Sequence, residues 1–373
     1  PSREPSLKPG DAPKAKAKAQ AAGSGVEAAR ALRIEAVSPA ERVKQELDGV
    51  AWAATLGFPR AYLARGAEIA ETEQRAITLK QLKELAGHVE EVSSGKFLRD
   101  HKGKEVDWNS VNLYVINDCI VVPFTLRFRC SFVELVAEGP QLPRWFVSHW
   151  WGTPFCQTVS LLAFHGEQRQ LSEASPYWFC TFANNQHDLS SLSGTLRQTP
   201  FVRAILSDDC VGTLALLDSN VTTFDRIWCV LENFVSTVWA REAGEYLYDI
   251  AAWLPVGSAL HGGRPVPAKP TLRLDFGRSQ AREVVDDEAT GGAFPLQVAA
   301  RGACVNIRLA KASREEDKRK ILHLIAGTAE EDWAQPPPEE CEAFDSMNAR
   351  VRRMFAAGAL YRAALQNDAA ELK

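Results

Sequence analysis

A single carboxylate stands out in the apolar stretch RIWCVLENF, which spans residues 226–234. Glu232 lies one helical turn after Trp228 and shortly follows the strand-like pattern VGTLALLD. A carboxylate among apolar residues has two explanations. It is either a catalytic group placed beside a substrate or a buried acid paired with a cation, because buried acids are rarely left alone. Arg226 and Arg203 are the candidate cations for such a pair.

Three polar segments directly follow apolar runs of the chain. Residues 148–152 end WFVSHWWG, residues 184–188 follow YWFCTFA, and residues 218–225 follow VGTLALL. In open parallel sheets, ligands bind outside the carboxyl ends of the strands. We therefore expect the three segments to gather at one edge of a sheet, with Glu232 just beyond the last of them.

Metal and thiol chemistry are weaker alternatives for this edge. His149, His187 and Cys156 lie near the strand ends, but no pair among them has the spacing of zinc ligands, so we predict no metal site. We expect the histidines to orient loop groups by hydrogen bonding. Cys229 lies inside a helix between apolar neighbours, which argues against a Cys/His nucleophile.

The elements that position these residues alternate between strand and helix. Strand-like runs start near residues 145, 177, 211, 246 and 305, and the first three intervals are about 33 residues, the length of a strand–helix–strand unit. Fully apolar strands in this alternation are typical of a parallel sheet that is covered on both faces. The pattern predicts an α/β, flavodoxin-like, five-stranded parallel sheet with helices on both faces.

Composition divides the chain into four segments. Residues 1–33 are rich in Pro, Ala, Gly and Lys, and predict a disordered or extended basic tail. Residues 34–143 predict a helical layer, which includes an amphipathic helix near residues 72–92 and which we call the N-terminal layer. Residues 144–310 form the α/β segment, and residues 311–373 predict a helical C-terminal extension.

The overall composition restricts the classes of partner. A net charge of −4 over 373 residues gives no electrostatic case for nucleic acid, and no apolar run approaches the ~20 residues of a spanning helix. The eight cysteines are widely spaced without a CxxC pair, which is typical of reduced thiols. We expect a reducing compartment, the cytoplasm first; an organelle stays open because the sequence starts at Pro1 instead of Met.

The order and the residue motifs of these segments resemble a TIR domain, the Toll/interleukin-1 receptor fold, and the plant type most closely. FVSHWWG is similar to the first strand of that family, YWFCTFANNQHDL to its second strand and loop, and RIWCVLENF to its W-C-x-x-E helix. The pair Ala204 and Ile205 matches a pair in the second helix of the family. The resemblance covers roughly residues 144–310.

The resemblance implies two functions. In TIR domains that are enzymes, the helix glutamate carries NAD+ glycohydrolase activity, which maps onto Glu232. A carboxylate there stabilises the oxocarbenium character of the ribose as nicotinamide leaves. The residues implied to contact the ribose and the base follow the first two strands of the segment; they are Ser148, His149, Trp151, Asn184 and Asn185.

Many TIR domains are instead adaptors that work by association with other proteins. The His149-Trp150-Trp151 loop is bulkier than the corresponding family residues, and the flanking segments suggest docking. We therefore predict a TIR-like interaction or accessory scaffold module with a degenerate nucleotide site and no required cofactor. Its partners would be other proteins, bound through the basic tail, the helical extensions or the TIR-like surface. The alternative is an NAD+ glycohydrolase that uses Glu232, with NAD+ as substrate.

Overall fold

The computed structural model describes most of the chain: residues 49–192, 194–254, 260–261, 264–265, 269–273, 275 and 296–355. The predicted basic tail, the start of the N-terminal layer and the end of the predicted C-terminal extension lie outside these residues. Within the described ranges, no helix is both long enough and apolar enough to cross a membrane.

Eight strands are present in the described part of the chain, and six of them form one sheet. In chain order they are β1 (Ile77–Thr78), β2 (Trp145–His149), β3 (Pro176–Trp178), β4 (Gly212–Leu217), β5 (Leu247–Leu254), β6 (Leu260–His261), β7 (Arg264–Pro265) and β8 (Lys269–Arg273). The sheet has the order β1-β3-β2-β4-β5-β8, whereas β6 and β7 form a separate hairpin. The four central strands are parallel, and β1 and β8 each pair antiparallel with their neighbour.

The fold is therefore α/β with a mixed sheet, and the prediction of five parallel strands is wrong at the edges. Four of the five predicted strands are present, as β2 to β5. The fifth, near residue 305, is a 3₁₀ turn at Ile307–Leu309. The side chain of Asn306 accepts a hydrogen bond from the backbone N–H of Arg308, which favours a turn over an extended strand.

The first edge strand comes from the N-terminal layer. Residues 72–92 were predicted as one amphipathic helix, but Thr72–Gln74 form a 3₁₀ turn and β1 follows it. The helix begins only after Thr78, whose hydroxyl accepts from the Gln81 backbone while the Gln81 side chain accepts from the Thr78 backbone. This capping box fixes the start of the helix and leaves the preceding residues free to pair with β3.

Both faces of the sheet are buried, as the apolar strands predict. Successive strand residues point to opposite faces. In β2, Trp145 and Val147 contribute to one hydrophobic core and Phe146 contributes to the other. β4 alternates in the same way, so each face of the sheet has its own core. The prediction of helices on both faces is confirmed.

The N-terminal layer and one later helix share the first core. Its helices are α1 (residues 49–55), α2 (Leu79–Ser94), α3 (residues 113–125, with a π turn at Asn117–Val121), α4 (Val133–Val136) and α5 (Phe155–Gln168). The Asn112 side chain caps the start of α3. The N-terminal layer thus packs on one face of the sheet and shares its core. The predicted boundary at residue 144 stays a prediction.

The second core is covered by helices that follow β3. They are α7 (Pro200–Ile205), α8 (Ile227–Phe234, continued by a π turn at Val235–Trp239 and by Ala240–Ala243), α9 (Leu296–Gly302), α10 (Glu315–Ala326) and α11 (residues 342–355). The short α6 (Cys180–Ala183) follows the end of β3. Other 3₁₀ turns are Arg60–Leu63, Ser190–Leu192, Leu196–Gln198, Thr222–Asp225 and Glu330–Ala334. The described part of the C-terminal extension thus belongs to this face.

A buried polar network ties β5 to α5. Both carboxylate oxygens of Asp249 accept hydrogen bonds from Arg169, at 2.9 and 2.7 Å. His165 Nε2 lies 2.9 Å from Asp249, and its Nδ1 lies 2.9 Å from the Tyr177 hydroxyl on β3. Burial lowers the pKa of His165, so the neutral ring donates to Asp249 and accepts from Tyr177. The network links three elements through one fully buried carboxylate.

Candidate functional site

Glu232 lies at the topological switch point of the sheet. The chain leaves β2 toward β3 and leaves β4 toward β5, so the connections diverge between β2 and β4. α8 packs on β2 and brings Glu232 to its carboxyl end. Ser148 Oγ, on β2, donates a hydrogen bond of 2.5 Å to Glu232 Oε2. The acid and this serine therefore meet at the end of one strand, as the order of the segments predicts.

The carboxyl group of Glu232 is neutral at pH 7. The side chain is only 4% exposed, and burial raises its pKa to about 8, although hydrogen bonds from Ser148 and Cys229 oppose the shift. A neutral carboxyl donates a proton or a hydrogen bond, but it brings no negative charge to a developing cation. The acid in this closed structure therefore lacks the charge that oxocarbenium stabilisation needs.

Neither candidate cation, Arg203 or Arg226, forms an ion pair with Glu232. Arg203 forms ion pairs with Glu71 and Glu73 of the N-terminal layer. Across the described ranges, no Lys or Arg side chain forms an ion pair with Glu232, whose side chain is hydrogen-bonded by Ser148 and Cys229. Glu232 is thus a buried acid that is stabilised by hydrogen bonds and by its protonation, without a salt bridge.

His149 is buried directly after Ser148. Its Nδ1 lies 3.2 Å from the Val147 carbonyl oxygen, and the ring packs against Phe179 with 4.8 Å between centroids. Burial lowers the pKa of His149 to about 4, so the ring is neutral at pH 7. Because Nδ1 must donate to the carbonyl, Nε2 is an acceptor, and within the described residues it has no hydrogen-bond partner.

Trp151 contacts α6 and the N-terminal layer. Its indole Nε1 donates to Cys180 Sγ at 3.2 Å, and its ring lies 5.5 Å from that of Tyr114. The Trp151 carbonyl accepts a hydrogen bond from Leu113 at the start of α3. The bulky loop after β2 is thus built into the interface between the strand ends and α3.

The two asparagines of the loop after β3 behave differently. Asn184 is 5% exposed, and its Oδ1 has no hydrogen-bond partner among the described residues. Asn185 Nδ2 donates to the Arg129 carbonyl at 2.7 Å, while its Oδ1 accepts from His187 N at 3.0 Å. Asn185 therefore holds the loop to the N-terminal layer, and neither of its side-chain hydrogen bonds is to Glu232.

Cys229 lies beside Glu232, which was not predicted from the sequence. Cys229 Sγ lies 3.5 Å from the His149 carbonyl oxygen and within hydrogen-bond reach of Glu232. Burial and the nearby Glu232 raise the pKa of the Cys229 thiol, so it is not a nucleophile. Cys229 and Glu232 are three residues apart on one helix, and this spacing could have predicted their contact. We call Ser148, His149, Cys229 and Glu232 the strand-end cluster.

Neither a metal group nor the surface groove coincides with this cluster. Among the residues that the structure describes, no three His, Cys, Asp or Glu side chains form a group able to hold a metal ion. A groove of about 560 Å³ lies between α2 and α5, with Phe164 and the ion pair of Lys83 with Glu173 in its lining. The groove shares no residue with the strand-end cluster.

The fold and the site define an α/β protein with a mixed sheet and a neutral acid buried at its switch point. No family model matches the chain, and no curated protein or solved structure matches it either. The TIR resemblance therefore rests on the sequence motifs alone.

Proposed function

We propose that the protein is a TIR-like interaction or accessory scaffold module of a larger assembly, with a nucleotide site that is closed. The observation that carries this proposal is the burial of Glu232, which is 4% exposed. The loops beside it are bonded to the N-terminal layer through Trp151 and Asn185. A substrate as large as a dinucleotide needs an open cleft at the strand ends.

The topology supports the TIR-like part of the proposal. The four parallel strands run second, first, third, fourth across the sheet, which is the order of the first four strands of flavodoxin-like sheets. RIWCVLENF forms the helix after the third of these strands, where the resemblance expects it. The antiparallel edges β1 and β8 are additions to that plan.

Exposed charge supports association with other proteins. The described part of the C-terminal extension carries a run of exposed carboxylates without an intervening cation: Glu330, Glu331, Asp332, Glu339, Glu340, Glu342 and Asp345. Such a run steers a basic protein surface toward it. We propose protein partners for this extension, the basic tail and the TIR-like surface. All eight cysteines are free thiols, which supports a reducing compartment such as the cytoplasm.

The second candidate function is NAD+ glycohydrolysis at Glu232. It is favoured by the raised pKa of an acid at the switch point, because perturbed acids gather at functional sites. In that reaction the bond between ribose and nicotinamide breaks, its electron pair leaves with neutral nicotinamide, and water adds to the ribose carbon and releases one proton. Glu232 would have to ionise to stabilise the cationic ribose, which requires solvent to reach the cluster and lower its pKa.

An assay of nicotinamide release separates the two functions. Purified wild-type protein at high concentration is incubated with NAD+ beside the Glu232→Gln variant, which keeps the shape and the Ser148 contact but cannot ionise. Because Glu232 is buried and neutral, we expect equal, background release from both proteins. Release by the wild type that falls at least a hundredfold in Glu232→Gln would overturn the scaffold proposal and establish the hydrolase.

A further inference from the structure

Residues 96–106 form a short antiparallel hairpin directly after α2, which we call the basic hairpin. The backbone N–H of Asp100 donates to the Lys104 carbonyl at 2.9 Å. The carboxylate of Asp100 in turn accepts from the backbone N–H groups of Lys102 and Lys104, both at 2.9 Å. The tip of the hairpin is therefore held in shape by its own hydrogen bonds, which do not use the lysine side chains.

The basic hairpin presents cations that no carboxylate neutralises. Lys96, Lys102 and Lys104 are exposed, and within the described ranges none of them forms an ion pair. Arg99 is paired with Glu105 at 2.9 Å and adds no excess charge. Because the whole chain has a net charge of −4, this excess of positive charge is a local feature of the hairpin.

An exposed aromatic side chain lies at the base of the basic hairpin. Phe97 is 47% exposed, and its ring lies so close to Gly95 that a Cβ there would have no room. Lys96, with a left-handed φ of 60°, turns the chain away from α2 and brings the ring into this position. A large aromatic ring that is held in place outside the core is typical of an interface anchor.

The C-terminal extension carries the opposite charge. Its run of exposed carboxylates lies within residues 330–345, which we call the acidic run. In the part of the chain that the structure describes, no ion pair involves the run, and the last one before it joins Lys320 to Glu316. The arginines that follow on α11 are engaged elsewhere, because Arg350 and Arg352 each donate to a backbone carbonyl.

Leu309 gives the acidic run an exposed apolar neighbour. Its side chain is 73% exposed. The two residues before it hold its turn against α11. The Arg308 guanidinium lies 5.9 Å from the centre of the Phe344 ring, within the acidic run. The backbone N–H of Ile307 donates to Asn348 at 2.9 Å. Both charged surfaces therefore have one exposed apolar side chain beside them.

The basic hairpin and the acidic run lie on opposite faces of the sheet. Leu98 and Val106 anchor the hairpin to the first core, together with α2. Trp333 and Phe344 anchor the run to the second core. Because the sheet separates the two cores, the opposite charges of one chain lie on different sides of the molecule and do not neutralise each other. Each surface is thus left for a second molecule.

We propose that the protein self-associates head to tail, with the basic hairpin of one copy bound to the acidic run of the next. Complementary charge steers the two surfaces together and fixes their register. Because the surfaces differ and lie on opposite faces, each contact leaves one surface free at either end, so the contact repeats into an open chain or a ring. The inference rests on the proposed scaffold function and names a second copy of this chain as its partner.

Sedimentation velocity of the full chain at low ionic strength tests the proposal. Wild type should form oligomers that grow with protein concentration and dissociate in about 0.5 M NaCl. Lys102→Ala/Lys104→Ala and Glu339→Ala/Glu340→Ala each remove two exposed charges from one surface and should raise the dissociation constant about tenfold. An equimolar mixture of the two variants keeps one intact hairpin and one intact run. It should therefore form a dimer that does not grow further.

Matched variants remove the same charge outside the two surfaces. Lys80→Ala/Lys83→Ala removes two exposed cations of α2, on the same face as the hairpin. Asp208→Ala/Asp209→Ala removes two adjacent exposed acids from the turn before β4. These variants change the net charge as much as the test variants do, and we expect both to associate as the wild type does.

Three outcomes would overturn the proposal. One is a wild type that stays monomeric at the highest concentration. Another is association that survives in the hairpin variant, because the acidic run would then bind a different basic segment, such as residues 1–33. The third is an equimolar mixture that stays monomeric, which would show that the contact is not head to tail. Nicotinamide release is measured separately, so failure of this inference is distinct from failure of the proposed function.

Discussion

Replacement of Glu232 by glutamine is expected to raise the free energy of unfolding by about 3 kcal/mol at pH 7. The unfolded chain releases the Glu232 proton near pH 4.5, whereas the folded protein holds it to about pH 8. The wild type therefore loses about 1.4 kcal/mol of stability per pH unit across this window. Glutamine cannot ionise, so the difference between the proteins grows from near zero at pH 4.5. Urea unfolding at several pH values measures it.

One other group contributes to this pH dependence, and a second supplies the control variant. His149 has the opposite slope, because its folded pKa of about 4 lies below the ordinary 6.5 and stability is lost as pH falls through that interval. Both proteins contain His149, so its contribution cancels when the free energy of unfolding of the wild type is subtracted from that of Glu232→Gln. Glu134 is the matched control: burial raises its pKa, but hydrogen bonds led by Arg65 hold the pKa below the usual value. Glu134→Gln should therefore destabilise at pH 7, and stabilisation by both substitutions would contradict the account.

Asp249→Ala is expected to lower the free energy of unfolding by about 3–5 kcal/mol, because it leaves buried donors without their acceptor. The carboxylate accepts from Arg169, from His165 Nε2 and from the backbone N–H of Asp275. Asp249→Asn keeps the shape but loses the charge and presents an amide to the same donors. We expect it to cost at least half as much in chemical denaturation.

The exposed ion pair of Arg203 supplies the contrast. Arg203→Ala removes contacts with Glu71 and Glu73 at the surface and should change stability by about 1 kcal/mol or less. Equal costs for Arg203→Ala and Asp249→Ala would show that the β5 network does not behave as a buried ion pair. The comparison separates burial from the mere presence of opposite charges.

Local sequence patterns predicted the centre of the sheet but not its edges. β2 and β4 are continuous apolar runs between polar segments, which a short window reveals. β1 is only two residues long and β8 lies in a stretch rich in Pro and Gly, so neither has a detectable period. Their places depend on pairing with β3 and β5, which is non-local information.

The contacts around Glu232 could be predicted in part for the same reason. Glu232 and Ser148 belong to regular elements whose ends the strand order brings together, and they do meet. Trp151 and Asn185 belong to loops, and the direction of a loop side chain is set by whatever lies opposite. What lies opposite is α3 and the turn after it, from a segment outside residues 144–310. No pattern around residue 185 could indicate a bond to Arg129.

The protonation state of Glu232 is the central claim of this account, and its side-chain carboxyl ¹³C resonance tests it most directly. The resonance is assigned by its absence from Glu232→Gln and followed as pH is raised in the folded protein. We predict a titration midpoint near 8, because the carboxyl is buried beside Ser148 without a cation. A midpoint near the ordinary 4.5 would contradict the account, since it would show an ionised Glu232 in contact with solvent at the strand ends.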